Sequence, residues 1–182
     1  MTLPDLHAAL AASDLLFDGE TLRRETQRIA ADIDAHYADG ERPVYLTVMH
    51  GGLVFAGQLA LSMKTDLEFD YLHATRYRGN TTGSGLAWLH RPATPLRGRR
   101  VLLADDILDE GHTLKAVKQW CEDQGAREVR VAVLAVKQHD RCVDGIAADY
   151  VALEVPDRYV YGYGMDYHEQ GRNLPAIYAL GN

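Results

Sequence analysis

The chain has 182 residues, of which 47% are hydrophobic and 25% are charged. This length favours one domain with a sizeable core, and the ordinary hydrophobic content excludes a disordered chain. There are 26 Asp and Glu against 19 Lys and Arg, and the formal net charge of −7 argues against a generally basic nucleic-acid binder. Cys121 and Cys142 form no Cys-x-x-Cys motif, so we expect unpaired thiols in a reducing compartment.

The N-terminal residues show no secretory or membrane-targeting pattern, since they lack a basic region followed by an apolar one. No apolar stretch approaches the ~20 residues that a membrane-spanning helix requires. We therefore expect a cytoplasmic protein that does not associate with a membrane.

Helical and strand patterns alternate along the first half of the chain. Apolar residues recur every third or fourth position over 22–37, which predicts an amphipathic helix. A β-forming apolar run over 44–49 predicts a buried strand, and a His-Gly-Gly turn separates it from a second predicted helix over 53–62. Strands are also predicted over 67–77 and 86–90, on either side of a glycine-rich stretch without hydrophobic periodicity.

The second half continues the alternation and completes the prediction of the fold class. A continuous apolar strand is predicted over 101–104, a helix over 113–124, and further strands over 129–137 and 150–155. Residues 158–182 are rich in Tyr and Gly and give no clear pattern. Apolar strands that alternate with helices indicate one α/β domain with a mostly parallel sheet, whose ligands bind beyond the carboxyl ends of the strands.

The stretch 101–114 carries the most chemical information. Its strand runs into Asp105 and Asp106, whose mutual repulsion favours a cation or hydroxyl donors as a partner. Gly111 allows a ligand to approach the backbone, and the free N–H groups at the start of the following helix suit a phosphate. Thr113 can add a hydroxyl or cap that helix. Carboxylates beside a phosphate site together indicate a phosphorylated sugar as the ligand.

This stretch resembles the phosphoribosyl-pyrophosphate (PRPP) signature of type I phosphoribosyltransferases. The shared order is an apolar strand, two acids, two apolar residues, Asp, a variable residue, Gly, a variable residue and Thr. Four other segments resemble the hypoxanthine-guanine phosphoribosyltransferase type: a glycine turn at 49–52, a lysine-bearing strand at 134–137, a base-binding segment at 155–167 and Arg-Asn-Leu at 172–174. These segments appear in the family's order, from about residue 15 to near the C-terminus.

The resemblance implies the type I phosphoribosyltransferase fold, with a small hood over the active site of a mostly parallel sheet that carries helices on both faces. A single domain would cover residues 1–182, with its core at about 20–155. The hood and base-binding segment would come from the N-terminal residues and from about 156–182. Family resemblance also implies a homodimer or homotetramer.

The resemblance implies a PRPP site and Mg²⁺ as the cofactor. Asp105 and Asp106 would hold the ribose hydroxyls directly or through Mg²⁺, and Asp109 would be the general base and acid at the purine N7. Asp166 would help to hold a second Mg²⁺, and Arg172 would contact pyrophosphate. The complete implied set of PRPP-binding residues is His50, Gly51, Asp105, Asp106, Asp109, Glu110, Gly111, His112, Thr113 and Arg172.

The purine site is implied by the segments that follow the signature. Lys137 would donate to the purine O6, and a cation there favours 6-oxopurines over adenine. Tyr159 would stack on the base, Val160 would bind its edge through backbone groups, and Asp166 would reach the exocyclic edge of guanine.

The chain departs from the family pattern in its first glycine turn, where His50 replaces a common lysine. Gly51 and Gly52 preserve the backbone groups that would bind pyrophosphate. In the family this turn can contain a cis non-proline peptide, so we expect Met49–His50 to be cis. The substitution removes any contact that the lysine side chain would make, and a histidine is only partly charged near neutral pH.

The glycine-rich loop at 75–85 would be the lid that closes over the reaction centre and excludes water. Arg76, Tyr77 and Gly79 lie at its start, and Arg76 is a second departure from the family pattern. A further basic cluster at 97–100 is expected to be a patch on a surface turn rather than a nucleic-acid site.

The resemblance implies transfer of 5-phosphoribosyl from PRPP to N9 of hypoxanthine or guanine, with pyrophosphate as the second product. One alternative is a PRPP-sensing regulator of the same fold that binds RNA or protein, although the negative net charge weighs against RNA. Another is a signalling receiver domain, whose acidic pair would be expected nearer the N-terminus. The preference among hypoxanthine, guanine and xanthine is expected to depend on the backbone geometry near Val160 and Asp166.

Overall fold

A computed structural model of the chain describes residues 5–76 and 86–181. The elements in chain order are α1 (Leu6–Ala11), β1 (Ser13–Phe17), α2 (Gly19–His36), β2 (Val44–Val48), α3 (Leu53–Ser62), β3 (Glu68–Arg76), β4 (Leu86–His90), β5 (Arg100–Leu108), α4 (His112–Asp123), β6 (Glu128–Gln138), β7 (Tyr150–Pro156), β8 (Val160–Tyr161) and β9 (Ile177–Leu180). The larger sheet has the strand order β4-β3-β2-β5-β6-β7. Its neighbours pair in parallel except for β4, which is antiparallel to β3, so the predicted α/β class is confirmed.

Helices cover both faces of the central sheet. Leu102 and Ala104 of β5 pack in one core cluster with residues of α2 and α3, such as Ile33 and Phe55. The alternate residues of β5 pack in a second cluster with α4, which buries Cys121 there. Two buried faces explain why these strands read as continuous apolar runs. None of the helices that the structure describes is long and apolar enough to cross a membrane.

Strand β5 is longer than its apolar run. The predicted strand ended at Ala104, but the ladder with β6 continues through the pairs Asp105↔Val133 and Leu108↔Val136. The apolar stretch of β6 extends beside the acids and keeps the backbone paired, so the two aspartates lie within the strand rather than after it. Asp105 is buried as a result.

A smaller antiparallel sheet lies apart from the central one and has the order β1-β9-β8. It joins the two ends of the described chain, since Ser13 pairs with Leu180 and Val160 pairs with Ala179. The segment between β8 and β9 is irregular and includes positive φ at Tyr163 as well as at several glycines. Short strands and turns of this kind produce no extended hydrophobic period, which is why the sequence pattern did not resolve them.

The basic cluster at 97–100 is only in part the surface patch that was expected, because Arg97 is exposed on the turn whereas Arg99 and Arg100 are engaged within the fold. The Arg100 side chain is only 7% exposed and is paired with Glu128 at 2.7 Å and Asp39 at 2.9 Å. Its guanidinium also lies 4.3 Å from the centre of the Tyr37 ring. The neighbouring Arg99 is bonded to Glu68. Arg99 and Arg100 are therefore engaged within the fold and do not present free charge to a nucleic acid.

Candidate active site

A cleft of about 580 Å³ opens where β2, β3 and β5 reach their carboxyl ends. Its wall includes the turn that follows β2, the later residues of β3 and the stretch from Asp105 to Leu114. Glu169 and Arg172, which precede β9, complete the wall. The carboxyl edge of a parallel sheet is where ligands bind in α/β folds, so this is the candidate site.

The turn after β2 combines the expected cis peptide with very close backbone packing. Met49–His50 is cis, as predicted. A Cβ atom on Gly51 would lie 2.0 Å from Oδ2 of Asp106, so only glycine fits beside that carboxylate. A Cβ atom on Gly164 would lie 2.1 Å from the Gly51 carbonyl oxygen. The turn is therefore in contact with both the acidic strand and the segment before β9.

His50 faces a second histidine that the sequence analysis missed. The ring centres of His50 and His73 lie 4.3 Å apart, and both residues line the cleft. Burial lowers the pKa of His73, and the neighbouring His50 and Arg172 lower it further. The pairing Val48↔Leu72 places His73 level with the glycine turn. That strand register is the signal that could have found it, but it becomes available only once the pairing is known.

The two adjacent acids are placed where a cation or hydroxyl groups would stabilise them. Oδ1 of Asp105 accepts the backbone N–H of Asp106 at 2.9 Å. Burial raises the pKa of both carboxyls, and the charge of Asp106 raises that of Asp105 further. Arg172 acts in the opposite direction on Asp106. Their position in the cleft wall and their unfavourable burial as anions fit a Mg²⁺-bound or hydroxyl-rich ligand.

The three predicted metal residues do not gather into one cluster. Asp166 is bonded to Arg172 at 2.7 Å, and the described residues contain no group of three His, Cys, Asp or Glu that could hold a metal alone. Mg²⁺ characteristically retains waters and substrate phosphates and takes only one or two carboxylates. Asp105 and Asp106 fit that mode, and Asp166 would have to exchange its arginine partner to help hold a second ion.

The connection between β5 and α4 contains the residues that the sequence predicts to bind a phosphate. It lines the cleft from Asp109 to Leu114, with the wall including Glu110, Gly111, His112 and Thr113. Gly111 is the N-cap residue of α4, with a φ of +79°, and no side chain caps that helix end. Thr113 therefore does not cap the helix, and the first N–H groups of α4 are available to an anion.

Asp109 is held by two donors from the end of β6. Lys137 Nζ lies 2.6 Å from Oδ2, and His139 Nε2 lies 2.6 Å from Oδ1. Burial alone would raise the pKa of Asp109, but the hydrogen bonds and charges of these two residues outweigh it and lower that pKa below its ordinary value. Sequence reasoning identified Lys137 but missed His139, whose only signal is its spacing of two residues along an extended segment.

Two of the predicted base-binding residues, Tyr159 and Val160, lie in or next to β8 and outside the wall of the cleft. Tyr159 is 44% exposed, and its hydroxyl donates to the Asp166 carbonyl oxygen at 3.2 Å. Val160 is buried and paired in the smaller sheet. Arg172 connects this region to the cleft, because its Nη1 donates to the Gly164 carbonyl oxygen at 2.9 Å.

Most of the predicted lid, residues 75–85, lies outside the residues that the structure describes. Arg76 is the last residue of β3, and Tyr77 and Gly79 lie outside the described residues. The lid therefore stays a prediction from the sequence.

Comparisons with known proteins agree with this geometry. Residues 13–168 match the family described as the phosphoribosyl transferase domain. Hypoxanthine-guanine phosphoribosyltransferases of Streptococcus pneumoniae and Bacillus subtilis are 32% and 33% identical to the chain over 167 residues, which cover 91% of the chain and 92% of each relative.

Solved structures give the same result. A hypoxanthine-guanine phosphoribosyltransferase from Bacillus anthracis has a TM-score of 0.84 and 31% identity, and the match covers 91% of this chain and 97% of that one. A hypoxanthine phosphoribosyltransferase from Staphylococcus aureus has a TM-score of 0.87 and 27% identity, covering 96% and 94%. With the cleft described above, these matches show that the chain belongs to the phosphoribosyl transferase domain family and, within it, to the hypoxanthine-guanine phosphoribosyltransferase type.

Proposed function

We propose that this protein transfers 5-phosphoribosyl from PRPP to N9 of hypoxanthine or guanine, giving IMP or GMP and pyrophosphate. The observation that carries the proposal is the placement of Asp109. This carboxylate lies between the phosphate loop before α4 and Lys137 at the end of β6. A proton acceptor and a cation are thus paired beside an anion site, as transfer to a 6-oxopurine requires.

PRPP, which donates the phosphoribosyl group, would extend along the cleft. The open N–H groups at the start of α4 would hold the 5′-phosphate, with Glu110, Gly111, His112 and Thr113 around it. Asp105 and Asp106 would bind the ribose hydroxyls, and the turn at His50 and Gly51, together with Arg172, would hold pyrophosphate. When bound, Mg²⁺ would neutralise charge on the pyrophosphate leaving group. The carboxylates of Asp105 and Asp106 are the residues proposed to hold it, and Asp166 would help to hold a second ion.

Asp109 would accept the proton that the purine loses from N7. As N9 forms its bond to C1′ and the bond from C1′ to pyrophosphate breaks, the purine loses the proton on N7, and an ionised carboxylate nearby accepts it. The lowered pKa of Asp109 keeps it ionised at neutral pH. Reversal of the same transfer returns the proton, so the residue acts as base in one direction and acid in the other.

Lys137 has enough hydrogen-bonding capacity for two partners. Its ammonium group carries three donors, of which one reaches Asp109 at 2.6 Å. A second would reach the purine O6 and disfavour adenine, which offers a donor at that position. Tyr159 would stack on the base, Val160 would bind its edge and Asp166 would reach the exocyclic group of guanine.

We also propose that the protein acts in the cytoplasm as a homodimer or homotetramer. Cys121 and Cys142 are free thiols, which fits a reducing compartment. Leu53 and Leu61 lie about two helical turns apart on α3 and are 54% and 83% exposed. These two apolar side chains are therefore available to a second copy of the chain. Light scattering of the protein and of Leu61→Asp tests the assembly, and a wild-type monomer would contradict it.

One reaction mixture tests the activity. Protein, Mg²⁺, PRPP and each purine in turn should yield the nucleotide and pyrophosphate with hypoxanthine or guanine and not with adenine. The regulatory alternative predicts PRPP binding without nucleotide formation. No observation favours that alternative, and binding without turnover for every purine would overturn the proposed activity.

A further inference from the structure

His139 makes a contact that the proposed reaction does not explain. It follows strand β6 directly, and its Nε2 lies 2.6 Å from Oδ1 of Asp109. Its side chain is only 3% exposed, against 40% for Asp109. A polar ring buried to this degree against the proposed base requires a physical explanation.

The hydrogen bond at the other ring nitrogen, Nδ1, determines which nitrogen of His139 carries the proton. Nδ1 of His139 accepts the backbone N–H of Arg141 at 3.1 Å. A nitrogen that accepts carries no hydrogen, so this hydrogen-bond network assigns the ring proton to Nε2, and Nε2 donates to Asp109. The imidazole is thereby fixed between a backbone donor and the carboxylate, in one tautomer.

The carboxylate receives one donor on each oxygen. Lys137 donates to Oδ2 and His139 donates to Oδ1, both at 2.6 Å. Two donors on opposite oxygens fix the plane of the carboxylate, and each oxygen keeps further lone-pair capacity for a substrate proton. Arg141 also influences this carboxylate electrostatically, but it is exposed and is engaged with Asp157 at 2.6 and 2.7 Å.

We propose that His139 is a positioning residue, whose Nε2–H holds the carboxylate of Asp109 in the orientation that accepts the purine proton. The inference rests on the proposed role of Asp109. Lys137 is expected to be shared with the purine O6, so His139 is the contact that remains committed to Asp109 while the substrate is bound. A small displacement of a proton acceptor is enough to cost a large part of the rate.

Three variants separate positioning from simple packing. His139→Leu should lower kcat about 30-fold and leave the dissociation constant of PRPP within about twofold, because the residue lies outside the cleft wall. The acidic limb of the rate profile should move to higher pH, since loss of a donor raises the pKa of Asp109. His139→Gln, which retains an N–H near the position of Nε2, should recover most of the rate. The neighbouring Gln138→Leu, which removes an exposed contact to Glu154, should behave as wild type.

A double-variant cycle provides the decisive comparison. In an Asp109→Asn background, His139→Leu should have no further effect on kcat, because its effect passes through the carboxylate. An equal loss in both backgrounds, or a normal rate and pH profile for His139→Leu, would overturn the inference while leaving the proposed activity standing. An inactive wild-type protein would overturn the proposed activity instead. If His139→Leu does not fold by circular dichroism, the comparison of His139→Gln with the shorter His139→Asn decides, and equal rates for those two would overturn the inference.

Discussion

At the scale of single residues, Lys137 and His139 each contact one carboxylate oxygen of Asp109, and the ring of His73 faces that of His50. Asp105, Asp106 and Asp109 were predicted because their spacing is local and is set by one strand and one turn. His73 and His139 were missed, since their importance depends on which strands pair and how far those strands extend. No spacing along the chain places His73 beside His50; the register between β2 and β3 does so.

Asp109 supports a direct prediction at this scale. Asp109→Asn keeps the shape of the side chain but removes the proton acceptor, so kcat should fall by about 10²- to 10⁴-fold. PRPP binding should be largely kept, because the phosphate loop and the glycine turn are untouched. Steady-state kinetics with hypoxanthine and calorimetric titration with PRPP provide the two measurements. Turnover near the wild-type rate would contradict the proposed role of this residue.

At the scale of secondary-structure elements, the pairing of β5 with β6 determines how far the acidic residues of the site are buried. The apolar run of β5 predicted a strand, but the pairing with β6 carries it through Asp105 and to Leu108. Asp105 is consequently buried within the ladder, and desolvation raises the pKa of both Asp105 and Asp106. Propensity alone favours ending the strand at a pair of aspartates, whereas the neighbouring strand supplies the hydrogen bonds that extend it.

The turn after β2 should tolerate no side chain at the position of Gly51. In Gly51→Ala the new Cβ would meet the Asp106 carboxylate at 2.0 Å, so the turn or the acid must move and kcat/KM should fall by about 10²-fold. Gly57→Ala is the matched control, because a Cβ there meets nothing within 4 Å. It lies in α3 and should keep activity while gaining roughly 0.5–1 kcal/mol of stability. Equal activity of the two variants would contradict this account.

At the scale of the whole molecule, a charged network stabilises the edge of the sheet opposite the cleft. Burial opposes ionisation of Glu128, yet its bonds with Arg100 and His36 lower its pKa from 4.5 to about 2. Because the pKa in the folded state lies below the ordinary value, this stabilisation is complete above about pH 5 and is lost as the pH falls towards 2.

Glu128→Gln should therefore lower the free energy of unfolding at pH 7 by roughly 2 kcal/mol. The difference from wild type should shrink between pH 4.5 and pH 2 as the native carboxylate takes up its proton. Urea denaturation across this range measures both values. Glu122→Gln, which alters an exposed position of α4, is the control and should stay within about 0.5 kcal/mol of wild type throughout. A constant difference at every pH would contradict the assignment.

The smaller sheet has a consequence for the order in which parts of the protein open. Its strands unite segments from almost opposite ends of the chain, as Ser13 pairs with Leu180, whereas β5 and β6 are consecutive strands joined by the crossover through α4. A sheet of three short strands separates at lower free energy than the longer strands of a buried parallel core. Amide hydrogens of β8 and β9 should thus exchange faster than those of β5 and β6, and equal protection would contradict this. We therefore expect β8 and β9 to open while β5 and the start of α4, which line the cleft, stay folded.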